Sequence, residues 1–113
     1  MDYTLVVVPP GGGDSEYSLL IRDASFIPRA GDYVTVTEEV DNPRPGGLAS
    51  AFKVRYASVV ATVTGEPGVA TAGNTYVEVE PVRSAFQTDD HRQMIEDLEA
   101  RGLTVESYPD SGF

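Results

Sequence analysis

A chain of 113 residues, 41% hydrophobic and 23% charged, has the composition of one globular domain, 1–113, with enough apolar surface for a core. It contains no cysteine, which removes disulfides, thiolate nucleophiles and cysteine-ligated zinc together. Its formal net charge of −10 opposes nucleic acid, because affinity for phosphate backbones comes from clustered Lys and Arg and Lys53 is the only lysine.

The opening MDYTLVVVPP carries no basic leader region. Its apolar run is too short for a signal peptide or a membrane span. The expectation is a soluble protein with no membrane partner, cytoplasmic or part of a phage particle. DYTLVVV (2–8) is β-branched and predicts a strand. PPGGGDS (9–15) reads as a flexible connection. In EYSLLIR (16–22), Tyr17, Leu19 and Ile21 alternate with Ser18, Leu20 and Arg22, which predicts a second strand and an N-terminal hairpin. Whether that hairpin joins the main sheet is left open by the pattern.

SFIPRAG bridges to the next strand. Pro28 lacks an N–H and disfavours a helix, Gly31 admits a positive φ, and Asp32 can bond the local backbone, so a turn feeds DYVTVTEE (32–39). Val34 and Val36 share one face of that strand, Tyr33, Thr35 and Thr37 the other. VDNPRPGGLAS (40–50) reads as a long loop. AFKVRYASVVATV (51–63) is a long strand with Phe52, Val54 and Tyr56 on the inward face. Its apolar set then becomes Val59, Ala61 and Val63, and such a change of phase implies a bulge or a sharp bend. TGEPGVATAGN (64–74) reads as a turn-rich loop. TYVEVEPV (75–82) is a strand with Val77 and Val79 inward and Tyr76, Glu78 and Glu80 outward.

The period then lengthens. Thr88 is a plausible N-cap, Asp89 and Asp90 suit a first helical turn, and Met94, Ile95 and Leu98 form one apolar stripe. Arg101 and Gly102 suit a helix end. LTVESY (103–108) reads as a short returning strand. It could dock on its own barrel or on a neighbouring chain. AGDYVTVTE (30–38) and AGNTYVEVE (72–80) echo one another, and the echo reads as two independent uses of turn-into-strand chemistry in preference to a duplication.

The fold class is therefore mainly β (α+β): a small, strongly bent antiparallel sheet or barrel at 26–82, an N-terminal hairpin, and a helix-plus-strand tail at 88–113. Pro28, Gly31, Asp32 and Val34, in the pattern P-x-x-G-D-x-V before a strand, resemble the start of a strand in SH3-like small barrels. The resemblance spans roughly 26–82 and implies a fold. It implies no activity, because such barrels carry many unrelated functions.

Motifs for chemistry are sparse. His91 is the only histidine and stands among Asp89, Asp90 and Arg92, with no nucleophile-elbow pattern near any serine. Asp90 and His91 read as an acidic first turn rather than a metal site. PPGGGDS lacks the G-K-[ST] of a phosphate loop and the helix that a dinucleotide fingerprint opens. Glu38, Glu39, Asp41, Glu78 and Glu80 fit the exposed faces of strands better than acid–base pairing. The expectation is no cofactor, no metal and no enzyme, an enzyme using carboxylates or a bound metal being the less favoured class. The favoured function is a protein–protein interaction or assembly module, with a protein partner or self-association, as in an accessory component of a bacterial or phage assembly. Its candidate surface comprises the outward Tyr33 and Tyr76 with Leu103, Val105 and Tyr108 of the tail. The alternative is an acidic inhibitor or nucleic-acid mimic on a basic protein site, since residues 89–113 hold seven acids against two arginines.

Overall fold

Val, Tyr and Thr runs of alternating polarity pair here into one five-stranded sheet, in the order β2-β1-β5-β4-β3. The structure is a computed structural model and describes residues 1–38 and 48–109. The strands are β1 (Tyr3–Val7), β2 (Tyr17–Ile21), β3 (Tyr33–Glu38), β4 (Leu48–Val63) and β5 (Ala70–Val82), followed by helix α1 (Asp89–Ala100). The sheet curls into a half-barrel, as the bent β-rich reading requires. It is mixed: β1 and β2 form the expected antiparallel hairpin, but β1 runs parallel to β5. The hairpin is thus an integral part of the sheet.

One face collects the core. Tyr3, Leu5 and Val7 of β1, Phe52 and Val54 of β4, and Val77 and Val79 of β5 are buried there, with Leu19, Ile21, Val34 and Val36 packed around them. At about 1.5–3 kcal/mol for each large apolar side chain removed from water, this cluster is the main source of stability. A second cluster joins Ile95 and Leu98 of α1 to Val105 and Leu103 beyond the helix.

Local chemistry explains the joints. The glycine connection 9–15 is pinned rather than free: the Gly12 N–H donates to Pro9 O at 2.9 Å and the Glu16 N–H to Val7 O at 2.7 Å. Gly12 takes φ +97°, and a Cβ there would stand 3.0 Å from the Arg55 guanidinium. Before β3, Gly31 takes φ +89°, its N–H donates to Val54 O at 2.9 Å, and the Asp32 carboxylate accepts from the Arg29 N–H at 2.8 Å. The turn read from Pro28, Gly31 and Asp32 is therefore present. The echoing Gly73 is different. It lies within β5, so the repeat is one of sequence only.

Three expectations need correction. β5 begins at Ala70, so 70–74 of the loop expected over 64–74 belong to the strand, where Ala70, Thr71 and Ala72 pair with Val63, Thr62 and Ala61 of β4. β4 begins at Leu48; the rest of the loop expected at 40–50 lies outside the described residues, as do Glu39 and Asp41. The strand expected at 103–108 is reduced to a single parallel bridge between Ser107 and Arg83.

Candidate functional site

Two irregularities divide the β4–β5 ribbon. Val54 pairs with Val79 but Tyr56 with Glu78, so Arg55 is an extra residue on β4. Val59 pairs with Thr75 but Ala61 with Ala72, which places an extra residue on β5 around Gly73 and Asn74. The phase change expected in 51–63 is thus real and sits at Arg55. Its consequence corrects one assignment. Tyr56 moves to the face of Glu78 and is 50% exposed, not inward. The neighbouring Glu78 carboxylate raises the phenol pKa of Tyr56.

Arg55 fastens this first bulge. Its Nε donates to Glu78 at 2.9 Å and its Nη1 to Glu80 at 2.7 Å. Contact with both carboxylates raises the guanidinium pKa, Glu80 contributing most. Glu78 and Glu80 are thereby each engaged by Arg55.

Beyond Arg55 the ribbon leaves the body as an arm. Within 56–76 the sole charged residue is Glu66, in the turn. Val59, Val60, Val63 and Val69 are exposed, Val63 to 70%. Among the described residues, the second apolar set expected on β4 therefore joins neither buried cluster. Among the described residues neither outer edge of the arm is paired: β3 reaches β4 only along Leu48–Lys53, and β1 reaches β5 only along Tyr76–Val79. The arm also lengthens the molecule, to 53 Å along its longest axis with a radius of gyration of 16.2 Å, against about 13 Å for a compact domain of 100 residues.

The sequence-derived surface residues separate into two groups. Tyr76 is at the arm's root, 37% exposed, its hydroxyl 3.4 Å from Asn74 Nδ2. The tail residues turn inward. Val105 is buried and Leu103 half-buried against Ile95 and Leu98. The open question about the tail is settled in favour of its own chain: Arg83 N–H donates to Glu106 O at 2.8 Å, and Tyr108 N–H to Arg83 O at 2.6 Å. Tyr33 meets Tyr108 edge to face at 5.0 Å, and Lys53 pairs with Glu106 at 3.3 Å beside them.

The helix is capped as read: Thr88 Oγ1 accepts from the His91 N–H at 3.1 Å. Met94, Ile95 and Leu98 face the body, and Asp90, Asp97 and Arg101 face water. His91 is the surprise, 2% exposed with its ring edge-on to Phe52 at 5.2 Å. Its Nε2 lies 3.0 Å from Val82 O, which can only accept, so Nε2 carries the hydrogen. Burial lowers its pKa and keeps the ring neutral. The sequence signal for this was periodic: His91 stands four residues before Ile95 and seven before Leu98, on the apolar stripe. Among the described residues no group of three or more His, Asp or Glu side chains is placed to hold a metal ion. No described helix is long and apolar enough to cross a membrane. No protein-family model, curated protein or solved structure matches the chain.

Proposed function

We propose that the protein is a non-enzymatic assembly module that makes its contacts through the β4–β5 arm. One observation carries the reading: an arm bearing a single charge, Glu66, projects valines into solvent from a chain of net charge −10. Exposed apolar surface of this kind marks contact sites, and unpaired strand edges are templates for pairing with another chain. The acidic body repels other acidic bodies, whereas the neutral arm carries contact away from that repulsion. A second copy is therefore the natural partner, arm edge against arm edge. An accessory position in a larger bacterial or phage assembly is consistent with this design.

The test compares the full chain with a variant in which residues 58–76 are replaced by Asn-Gly. That pair suits a two-residue turn between Ala57 and Val77, which already face one another across the ribbon. Light scattering over a concentration series should show mass growth for the full chain and a constant monomer for the variant. A full chain that stays monomeric throughout, and that retains the same proteins from a native-host lysate as the variant does, overturns the proposal.

A further inference from the structure

The two edges of the arm are not equivalent. The β5 edge is broken by the extra residue around Gly73 and Asn74. A bulge of that kind blunts an edge against further pairing. On β4, residues 56–63 gain no extra residue, hold no Gly, Pro or charge, and are all exposed.

The backbone decides which groups this β4 edge presents. Below the arm, the Val54 N–H donates to Asp32 O at 2.8 Å and Val54 O accepts from the Gly31 N–H at 2.9 Å. Even-numbered residues of β4 therefore face β3 and its turn there. The extra residue Arg55 inverts the order, so that even-numbered residues of the arm face β5. Val60 O agrees, since a Cβ on Gly73 would stand 3.2 Å from it. Ala57, Val59, Ala61 and Val63 are left with their N–H and C=O groups on the open edge. In an antiparallel pairing of this edge with its own copy, one register alone engages all four. It is centred on Val60, with Ala57 opposite Val63 and Val59 opposite Ala61. The side chains suit that register. On the face that continues the core each valine meets an alanine, and on the other Ser58 meets Thr62 and Val60 meets Val60.

The same register places the second copy's turn, residues 64–69, level with Val54, where the turn 29–32 leads into β3. The charges there are opposite. Glu66 is the arm's only charge, and among the described residues Arg29 forms no ion pair. The Asp32 carboxylate of that turn already accepts from the Arg29 N–H at 2.8 Å.

We propose that two copies form a closed two-fold dimer by pairing their β4 arm edges antiparallel about Val60, with Glu66 of each copy beside Arg29 of the other. The inference rests on the arm being the contact site. The second copy's β4 continues the line of β3, and the two acidic bodies stand at opposite ends of the paired arms. Each copy uses the same edge, so this contact closes at two.

The chain has no cysteine, so an introduced one reports alone. Val60→Cys, Val59→Cys and Val63→Cys are oxidised mildly and read on non-reducing gels. In this register residue 60 opposes its own copy at a non-hydrogen-bonded position, with Cα atoms about 4.5 Å apart and within disulfide reach, while 59 and 63 oppose 61 and 57. Val60→Cys should cross-link about tenfold faster than either other variant. Light scattering follows the charge contact. Glu66→Arg should weaken dimerisation about tenfold, although it makes the chain less acidic, and adding Arg29→Glu should restore it. Cross-linking no faster at position 60, or association strengthened by Glu66→Arg, overturns the register while arm contact stands. A full chain that is monomeric at every concentration overturns both.

Discussion

The two halves of the β4–β5 ribbon share a strand pairing and a supply of β-branched residues but not a fate. In the lower half, Ala51, Phe52 and Val54 of β4 and Val77, Val79 and Val82 of β5 are all buried. In the upper half, Val59, Val60 and Val63 are equally β-branched or apolar and stand in water. What differs is the company. The lower half has β1 and β3 as neighbours and α1 packed against it through Met94 and His91. The upper half has only itself. A two-stranded ribbon is marginal alone in water, so the arm draws its order from the root that Arg55, Glu78 and Glu80 hold. Composition selects the strand, and neighbours select burial.

The comparison breaks most visibly at the root. Phe52 is fully buried at the crossing of the sheet core and His91. Phe52→Ala should remove about 3–5 kcal/mol of unfolding free energy, measured by urea denaturation followed by tyrosine fluorescence. A loss no greater than that of an arm substitution would place the core elsewhere. Leu98→Ala, in the smaller second cluster, should cost about 2–5 kcal/mol, toward the lower end if Met94 and Leu103 can close on the space. Its loss should fall on the helix and the tail together, because Val105 depends on the same contact. Hydrogen exchange that quickens in α1 while residues 103–109 stay protected would contradict that coupling.

The half-barrel was readable because alternation is a local signal. Val34, Val36, Val77 and Val79 declared their faces, and Thr88 with Asp89 and Asp90 declared the helix start. The arm was not readable, because Val59, Ala61 and Val63 alternate as a buried strand does, and no local pattern records that a neighbour is missing. Tyr56 was misplaced for a related reason. A bulge one residue earlier reverses every later side chain, and Arg55 looks like any strand arginine. His91 was hidden by its polar neighbours Asp90 and Arg92, although its spacing to Ile95 and Leu98 placed it on the inner stripe. The parallel partner of β1 lies some seventy residues away in sequence and leaves no local trace.

His91 sharpens the comparison through pH. Its folded pKa lies below the ordinary value of 6.5. Above that value the ring is neutral folded and unfolded, and stability is unaffected. As pH falls below 6.5 the unfolded chain takes up a proton that the folded chain resists, so stability is lost until the folded pKa is reached. His91→Gln places an amide donor near Val82 O without a titrating ring. The stability difference between the two proteins should move against the wild type between pH 7.5 and 5.5. A difference that is flat with pH would mean the ring protonates in place.

The smallest effect on stability is predicted where the surface is most apolar. Val59, Val60 and Val63 belong to neither buried cluster of the described residues, so changing them to threonine removes little buried contact. Threonine keeps the β-branched shape that suits a strand, and the arm should persist. Each change should alter monomer stability by no more than about 0.5 kcal/mol. Association should respond far more. Binding of folded copies to one another raises apparent stability by mass action, so the wild-type melting temperature should climb with protein concentration. The triple variant should melt at one temperature at every concentration, close to the wild-type value at high dilution. If the triple variant instead melts well below the dilute wild type, the valines are packed within the monomer. The arm is then part of the core, and the contrast between the two halves of the ribbon disappears.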